Sequence, residues 1–388
     1  MSEQKGLGSR SRRRFLIGAG AVAGAGGLGL YGLKLSAEAD YDAPAYRYWR
    51  DTRRPEGMDD ATYIVLCGTL AASPHNTQPW KFKPAKDRIE VYADRERNLG
   101  AADPDQRMLI MGVGCALENM RLTARQLGYR TEIRWHASDA YAKDGHCASL
   151  VLQRAEPPAR GTLFPAIFER QTNRAPYDME AGVLSHLMSR LSALNDFPGL
   201  SLSWYHPAMP DGYEVLRFTR HAVRQWVRDD DRYLDGIKWW RYTREELLTK
   251  RDGISIHTTN APFVVVLGME AFVTPEMWAG DIGRQGEIDW VDKSCINTPV
   301  WGLIHTADDG YDNRLRAGML AERLYLGATR DGFSLCPVCY TTEIERSHER
   351  LRRALAMAEG QQLMFLFRLG KAAPLERSVR RDLHSVIV

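Results

Sequence analysis

The sequence predicts a layered α+β or α/β body, and three observations carry that expectation. Runs with strand character recur in the order "RIEVYA" (88–93), "TEIRW" (131–135), "ASLVLQ" (148–153), "LSLSW" (200–204), "PFVVVLG" (262–268) and "QQLMFLFRLG" (361–370). Helical patterns stand between them, "EIERSHERLRRALAMA" (343–358) among them. A repeat also links two distant windows, "GCALENMRLTARQLGY" (114–129) and "GMLAERLYLGATRDGF" (318–333). Gly114, Glu118, Leu122, Ala124, Gly128 and Tyr129 match Gly318, Glu322, Leu326, Ala328, Gly332 and Phe333 in spacing. Both windows read as helices ended by a glycine just past the last turn. Their constant offset points to two related halves in tandem.

The chain has 388 residues, 44% hydrophobic and 26% charged, a globular composition with two to three domains' worth of core. Net charge is +3, but residues 1–39 hold six bases and two acids, a balance of +4, which leaves −1 for the rest. A body so close to neutral has no nucleic-acid footprint. The basic head has its own explanation. "SRRRFLIG" sets Arg12-Arg13 ahead of Phe15-Leu16, the twin-arginine export pattern. No charge follows until Lys34, and "SAEAD" offers small residues for cleavage after Ala39. The expectation is therefore a signal peptide over residues 1–39, a twin-arginine translocase as export partner and a periplasmic destination, with a membrane anchor if the leader stays attached. "GAGGLG" (24–29) satisfies G-x-G-x-x-G but lies inside this leader with no strand before it, so it is no dinucleotide fingerprint.

Next along the chain, "DDATYIVLCGTLAA" (59–72) has helical apolar spacing with carboxylates in its first turn. "SPHNTQPW" (73–80) then packs Ser73, His75, Asn76 and Gln78 into a loop between that helix and the strand at 88–93. Such residues suit a turn as well as a ligand site. Residues 225–255 crowd aromatics among charges and read as a helix pair, whose Trp226, Trp239 and Trp240 either pack internally or form a lid. Of the six cysteines only "CPVC" (336–339) has C-x-x-C spacing, and no second pair completes a zinc site. No two histidines stand four apart, so no metal is expected.

Taken together, "SPHNTQPW" (73–80), "RQTNR" (170–174), "GFSLCPVCY" (332–340), "LFRLG" (366–370) and "SVRRDL" (378–383) give the chain a resemblance to the nitroreductase-like FMN-binding superfamily. The likeness is greatest to its fused, double-length branch, which includes flavin-binding dormancy-associated proteins. That resemblance implies an α+β fold: a tandem-fused pseudo-dimer, monomeric as a chain, with central mixed or antiparallel sheets flanked by helices. Its halves would span residues 40–160 and 161–388, the second carrying a helical insertion at about 225–255.

The resemblance also implies one FMN per chain. Ser73, His75, Asn76 and Gln78 would lie against its ribityl chain and ring edge. Arg170, Thr172 and Arg174 would form the phosphate and ribityl clamp, which Arg380 and Arg381 close. Pro337, Val338 and Cys339 would pack on one flavin face. Cys339 stands where the family has Glu, and Tyr340 where it has Gly, so the thiol is either a packed side chain or a group near the flavin N5. The implied activity is FMN-dependent two-electron transfer to or from a small flat substrate. The alternative is a flavin-sequestering protein whose lid excludes substrates. An exported enzyme would need an electron donor other than a cytoplasmic nucleotide, for which a membrane-side donor is one candidate.

Overall fold

The computed structural model describes residues 43–136, 138–155, 163–183 and 185–388. The leader with Arg12-Arg13, its cleavage site and "GAGGLG" lie outside the described residues. Among the described residues no helix is long and apolar enough to cross a membrane.

Asp59 starts helix α1 (Asp60–Gly68) by accepting the Thr62 amide at 3.0 Å, the expected carboxylate cap. The loop 73–79 leads into the hairpin β1 (Trp80–Pro84) and β2 (Arg88–Ala93). Helix α2 (Arg107–Gln126), β3 (Tyr129–Trp135) and β4 (His146–Arg154) follow, completing an antiparallel sheet in the order β1-β2-β4-β3. On β2 the alternation is clean: Ile89, Val91 and Ala93 are buried, while Arg88, Glu90 and Tyr92 face the open side.

The rest of the chain builds a second such sheet. It contains β5 (Leu200–Tyr205), helix α3 (Pro210–Trp226), the two-residue parallel strands β6 (Trp240–Arg241) and β7 (Ile254–Ser255), and helix α4 (Asp281–Ile296). Then come β8 (Val300–Thr306), helix α5 (Tyr311–Arg330), β9 (Ser334–Pro337) and β10 (Gln362–Gly370). The order is β5-β8-β10-β9, again antiparallel throughout. The fold is thus α+β, with two antiparallel sheets flanked by helices. The C-terminal tail crosses back to the first sheet and bonds to Phe82 on β1: Phe82 N to Val386 O at 2.7 Å and Val388 N to Phe82 O at 2.9 Å.

The long-range repeat has a physical meaning in this frame. Helices α2 and α5 cross at its leading glycines. A Cβ on Gly114 would stand 2.1 Å from the Leu315 carbonyl oxygen, and one on Gly318 would stand 2.0 Å from that of Met111. Backbone therefore touches backbone, and only glycine permits it. Both helices end as expected, with Gly128 at φ 84° and Gly332 at φ 75°. The paired glutamates are buried as well. Glu118 accepts from Arg323 at 2.7 Å and Arg121 at 2.9 Å, and Glu322 accepts the Ala72 amide at 3.1 Å.

One expected strand is absent. "PFVVVLG" belongs to a helix, Phe263–Phe272. The helix runs on through "MEAF" to helical length, and the uniformly apolar stretch before Glu270 carries no period to decide between the two. The helix pair at 225–255 is present as Asp230–Ile237 and Arg244–Lys250, with Trp226 ending α3 before them.

Replacing Gly318 by Ala should destabilise the protein by about 1–3 kcal/mol through overpacking. Gly268, on the helix Phe263–Phe272, is open: an added methyl group there would meet nothing within 4 Å. It should tolerate Ala or gain from it. Urea unfolding midpoints measure both; equal losses at the two positions would contradict the helix-crossing account.

Candidate functional site

A cavity of about 420 Å³ opens where the two sheets' helices meet. That volume falls in the range of small-molecule and cofactor sites. Loop residues Ala72–His75 and the α2 positions Met111, Gly112 and Cys115 form one side. Ala321 and Tyr325 of α5, Phe365 of β10 and the turn Cys336–Tyr340 form another. Four tryptophans add to the wall: Trp226, Trp240, Trp278 and Trp290. Trp240 and Trp278 stack at 4.7 Å with an interplanar angle of 26°, and Trp226 meets Tyr340 edge-on at 5.6 Å.

Of the residues singled out in the sequence, Ser73, His75, Thr172, Arg174, Pro337, Val338 and Cys339 line this cavity. Asn76, Gln78, Arg170, Arg380 and Arg381 do not line it. The reason is local. His75, Asn76 and Gln78 all take left-handed backbone angles, with φ of 45°, 53° and 51°. Non-glycine residues hold such angles only when their surroundings over-determine them. The amide side chains supply that restraint. Asn76 Nδ2 donates to the Val379 carbonyl at 3.1 Å and its Oδ1 accepts from Arg380 at 2.8 Å. Gln78 Nε2 donates to the Arg251 carbonyl and its Oε1 accepts the Arg381 amide, both at 2.8 Å. The loop is a clasp for the C-terminal tail.

Arg170 and Arg380 are buried behind that clasp. Both donate to the Leu70 carbonyl, at 3.0 and 3.1 Å. Arg170 Nε approaches Glu322 at 3.4 Å, and its guanidinium lies 5.2 Å from the Tyr325 ring. Burial pushes the Glu322 carboxyl up despite Arg170, and burial followed by Arg170 drives Arg380 down. Arg170 Nε and Nη1 and Arg380 Nε nevertheless have no hydrogen-bond partner among the described residues. Arg381 donates to the Gln78 carbonyl at 3.0 Å and is likewise spent on the tail.

Arg174 behaves differently. Its side chain makes no hydrogen bond or ion pair with any described residue, and it lines the cavity. Trp290 Nε1 donates to the Arg174 carbonyl at 3.0 Å, which brings Lys293, one turn along α4, to the same part of the wall. Lys293 too is unpaired among the described residues. Two cations without an ion pair on the wall of one cavity suit an anionic group such as a phosphate.

Several groups with shifted titration share the wall. His75 Nδ1 donates to the Gly236 carbonyl at 3.1 Å, so its proton sits on Nδ1; burial, then the Arg174 charge, lowers its pKa to about 4. Tyr340 donates its hydroxyl to Glu287. Burial pushes both the Glu287 carboxyl and the Tyr340 phenol up. Glu343 is pushed up to about 8, first by burial and then by Asp103, so it carries a proton at neutral pH. Cys339 lies against the Leu366 carbonyl at 3.5 Å, and burial pushes its thiol up. A thiol held so firmly protonated is a packed side chain, not a nucleophile.

Of the two readings left open for Trp239, internal packing describes its surroundings. Its indole donates to the Asn98 carbonyl at 3.0 Å, with the Arg97 guanidinium 5.0 Å from its ring. Glu287, Tyr340, Glu343, Trp278, Trp290 and Lys293 were not singled out from the sequence. Tyr340 alone carried a signal, as a departure from the family pattern; the others reach the cavity through helix packing that leaves no motif.

For His75 the depressed pKa has a consequence for stability. The unfolded chain binds the proton at its ordinary value of 6.5 and the folded chain only near 4. The contribution is complete above 6.5 and is lost as pH falls toward 4. His75→Gln should flatten the fall of Tm across that window; parallel Tm–pH curves for parent and variant would contradict it.

No family model matches the chain. It is 25% identical over 360 residues to a Mycobacterium tuberculosis H37Rv protein provisionally named NAD(P)H nitroreductase Rv3131, covering 91% of this chain and 97% of that one. It is 23% identical over 353 residues to the uncharacterized protein Rv3127 of the same organism, covering 83% and 91%. Among solved structures, the FMN-dependent nitroreductase NfnB from Mycobacterium smegmatis, in complex with NADPH, aligns with 58% of this chain and 96% of its own at 15% identity and a TM-score of 0.35. A nitroreductase with bound FMN from Bacteroides fragilis aligns with 57% and 95% at 10% identity and a TM-score of 0.33. Structural likeness at that level carries no weight. The similarity in sequence to the Rv3131 protein runs along nine-tenths of the chain.

Proposed function

We propose that this chain is an FMN-dependent oxidoreductase of nitroreductase-like type, with FMN seated in the 420 Å³ cavity. The observation that carries this reading is Arg174: a cation with no hydrogen bond or ion pair among the described residues, on the wall of a cavity rich in apolar and aromatic side chains. The full-length similarity to a protein named for NAD(P)H nitroreductase activity supports it. FMN, when bound, supplies two-electron chemistry at N5 with a small, flat substrate.

The protein's own residues seat, shape and shield. Arg174 and Lys293 neutralise the phosphate end. Thr172, bonded to the Tyr325 hydroxyl at 3.0 Å, offers a neutral contact beside them. The four tryptophans exclude water and favour planar ligands. Tyr340 and Glu287 share a proton on the wall, and Glu343 holds one at neutral pH. The clasp of Asn76 and Gln78 on the tail fixes the loop that bears Ser73 and His75. We further propose export through the twin-arginine route on the strength of "SRRRFLIG" and the uncharged run after it. The fused halves then make a pseudo-dimer from one chain.

A second reading, flavin storage, draws on the Trp240–Trp278 stack across the cavity wall. Reoxidation kinetics separate the two. For an enzyme, photoreduced flavin is reoxidised by quinones or nitroaromatics with a rate that saturates, and Trp240→Ala weakens selection among acceptors. Slow, unsaturable reoxidation that Trp240→Ala accelerates would favour storage and overturn the enzyme reading.

Arg174→Ala should weaken FMN binding by about 1.5–3 kcal/mol, the loss of a charged hydrogen bond. Flavin fluorescence titration of the apoprotein measures it. Unchanged affinity would remove Arg174 from the site.

A further inference from the structure

We propose that the open face of the first sheet carries a second, independent site: a divalent-metal site formed by Glu90, His136 and His146, suited to a borderline ion such as zinc. One ligand atom from each of the three lies within 4.8 Å of the others. The backbone explains the convergence. Glu90 faces Ser149 across the β2–β4 ladder, and His146 faces Tyr92. His136, just past the end of β3, is tied beside them by its amide bond to the Cys147 carbonyl at 3.1 Å. Three chain segments thus deliver one side chain each to the same point.

Both imidazoles turn the same nitrogen inward. His146 Nε2 lies 3.0 Å from Glu90 Oε2, and His136 Nε2 lies 2.9 Å from Ser149 Oγ, which donates to that same oxygen. Ligand atoms around a tetrahedral zinc stand about 3.3 Å apart, given bonds of about 2.0–2.1 Å. His146 Nε2 and Glu90 Oε2 are already near that spacing, and His136 has a ligand atom within 4.8 Å of both. Glu90 is oriented from outside, as metal sites require: Arg88 holds its other oxygen at 2.8 Å, leaving Oε2 as the ligand. Tyr92 stacks on His146 at 4.4 Å, and the two imidazoles stack at 3.8 Å with 27° between their planes, so the His136 ring must turn for both lone pairs to meet one ion. His146 and Glu90 keep 19% and 17% of their side-chain surface in solvent, so water can complete the coordination.

Two imidazoles and a carboxylate select zinc, copper or nickel over magnesium or calcium. The sequence conceals the set. Its members sit on strands at irregular separations, with no pair on a helix turn. None of the three lines the cavity, so the site acts on the sheet and not on the flavin chemistry. Bound metal would staple β2, β4 and the end of β3.

The test uses untagged full-length protein stripped with chelator and titrated with zinc chloride, followed by calorimetry and thermal melting. The parent should bind one equivalent and gain in Tm. His136→Ala with His146→Ala should weaken zinc binding at least about tenfold, as loss of metal-site groups does, with flavin content unchanged. Should that pair unfold the sheet, Glu90→Gln, which keeps the shape of the side chain, supplies the same contrast. No heat and no Tm gain in the parent at a hundredfold excess of zinc would overturn the proposal. So would equal zinc affinity in parent and variants.

Discussion

Backbone contact between two long helices is the constraint on which the rest depends. At Gly114 and Gly318 the helices α2 and α5 approach until a single methyl group would collide with a carbonyl oxygen. That closeness fixes the two sheets relative to each other. It also sets the cavity floor, because Met111, Gly112 and Cys115 follow from one helix and Ala321 and Tyr325 from the other. Spreading the crossing would open the floor and separate Glu118 from Arg323, a buried pair that spans the two helices.

Charge is partitioned with the same economy. Arg170 and Arg380 are buried, bonded to backbone carbonyls around Leu70 and shared with one glutamate. They hold the tail and the loop in place. Arg174, four residues from Arg170, is left unspent at the cavity. Two arginines of one short motif therefore stand in different surroundings, one buried behind the loop and one on the cavity wall. Protons are partitioned too. The cavity's carboxyls are pushed toward their neutral forms by burial, while His75 is kept uncharged beside Arg174. A neutral lining keeps the cavity low in dielectric, which strengthens the attraction of its free cations for a phosphate.

Much of this was legible in the sequence, and the rest was hidden for identifiable reasons. The strand at 88–93, the capped helix after Asp59 and both glycine-ended helices follow from local pattern, since alternation and caps are local physics. The repeat marked its own contact point through glycine. "PFVVVLG" misled because uniform hydrophobicity has no period. The loop 73–80 does reach the cavity, yet only through Ser73 and His75 of its four named residues. Asn76 and Gln78 were misplaced because their partners lie some three hundred residues away in the tail, a pairing that no local pattern encodes. Trp239 and Trp240 are adjacent, and a sequence cannot say which of two neighbours faces inward. The metal-ligand trio was invisible for the opposite reason: cross-strand register, not sequence spacing, assembles it.

The central claim is that the cavity is built for FMN, and the most direct measurement is the visible spectrum of the purified protein with identification of what heat releases from it. The account predicts a yellow protein that yields FMN on denaturation, close to one equivalent per chain. A colourless protein that also fails to take up added FMN would contradict it.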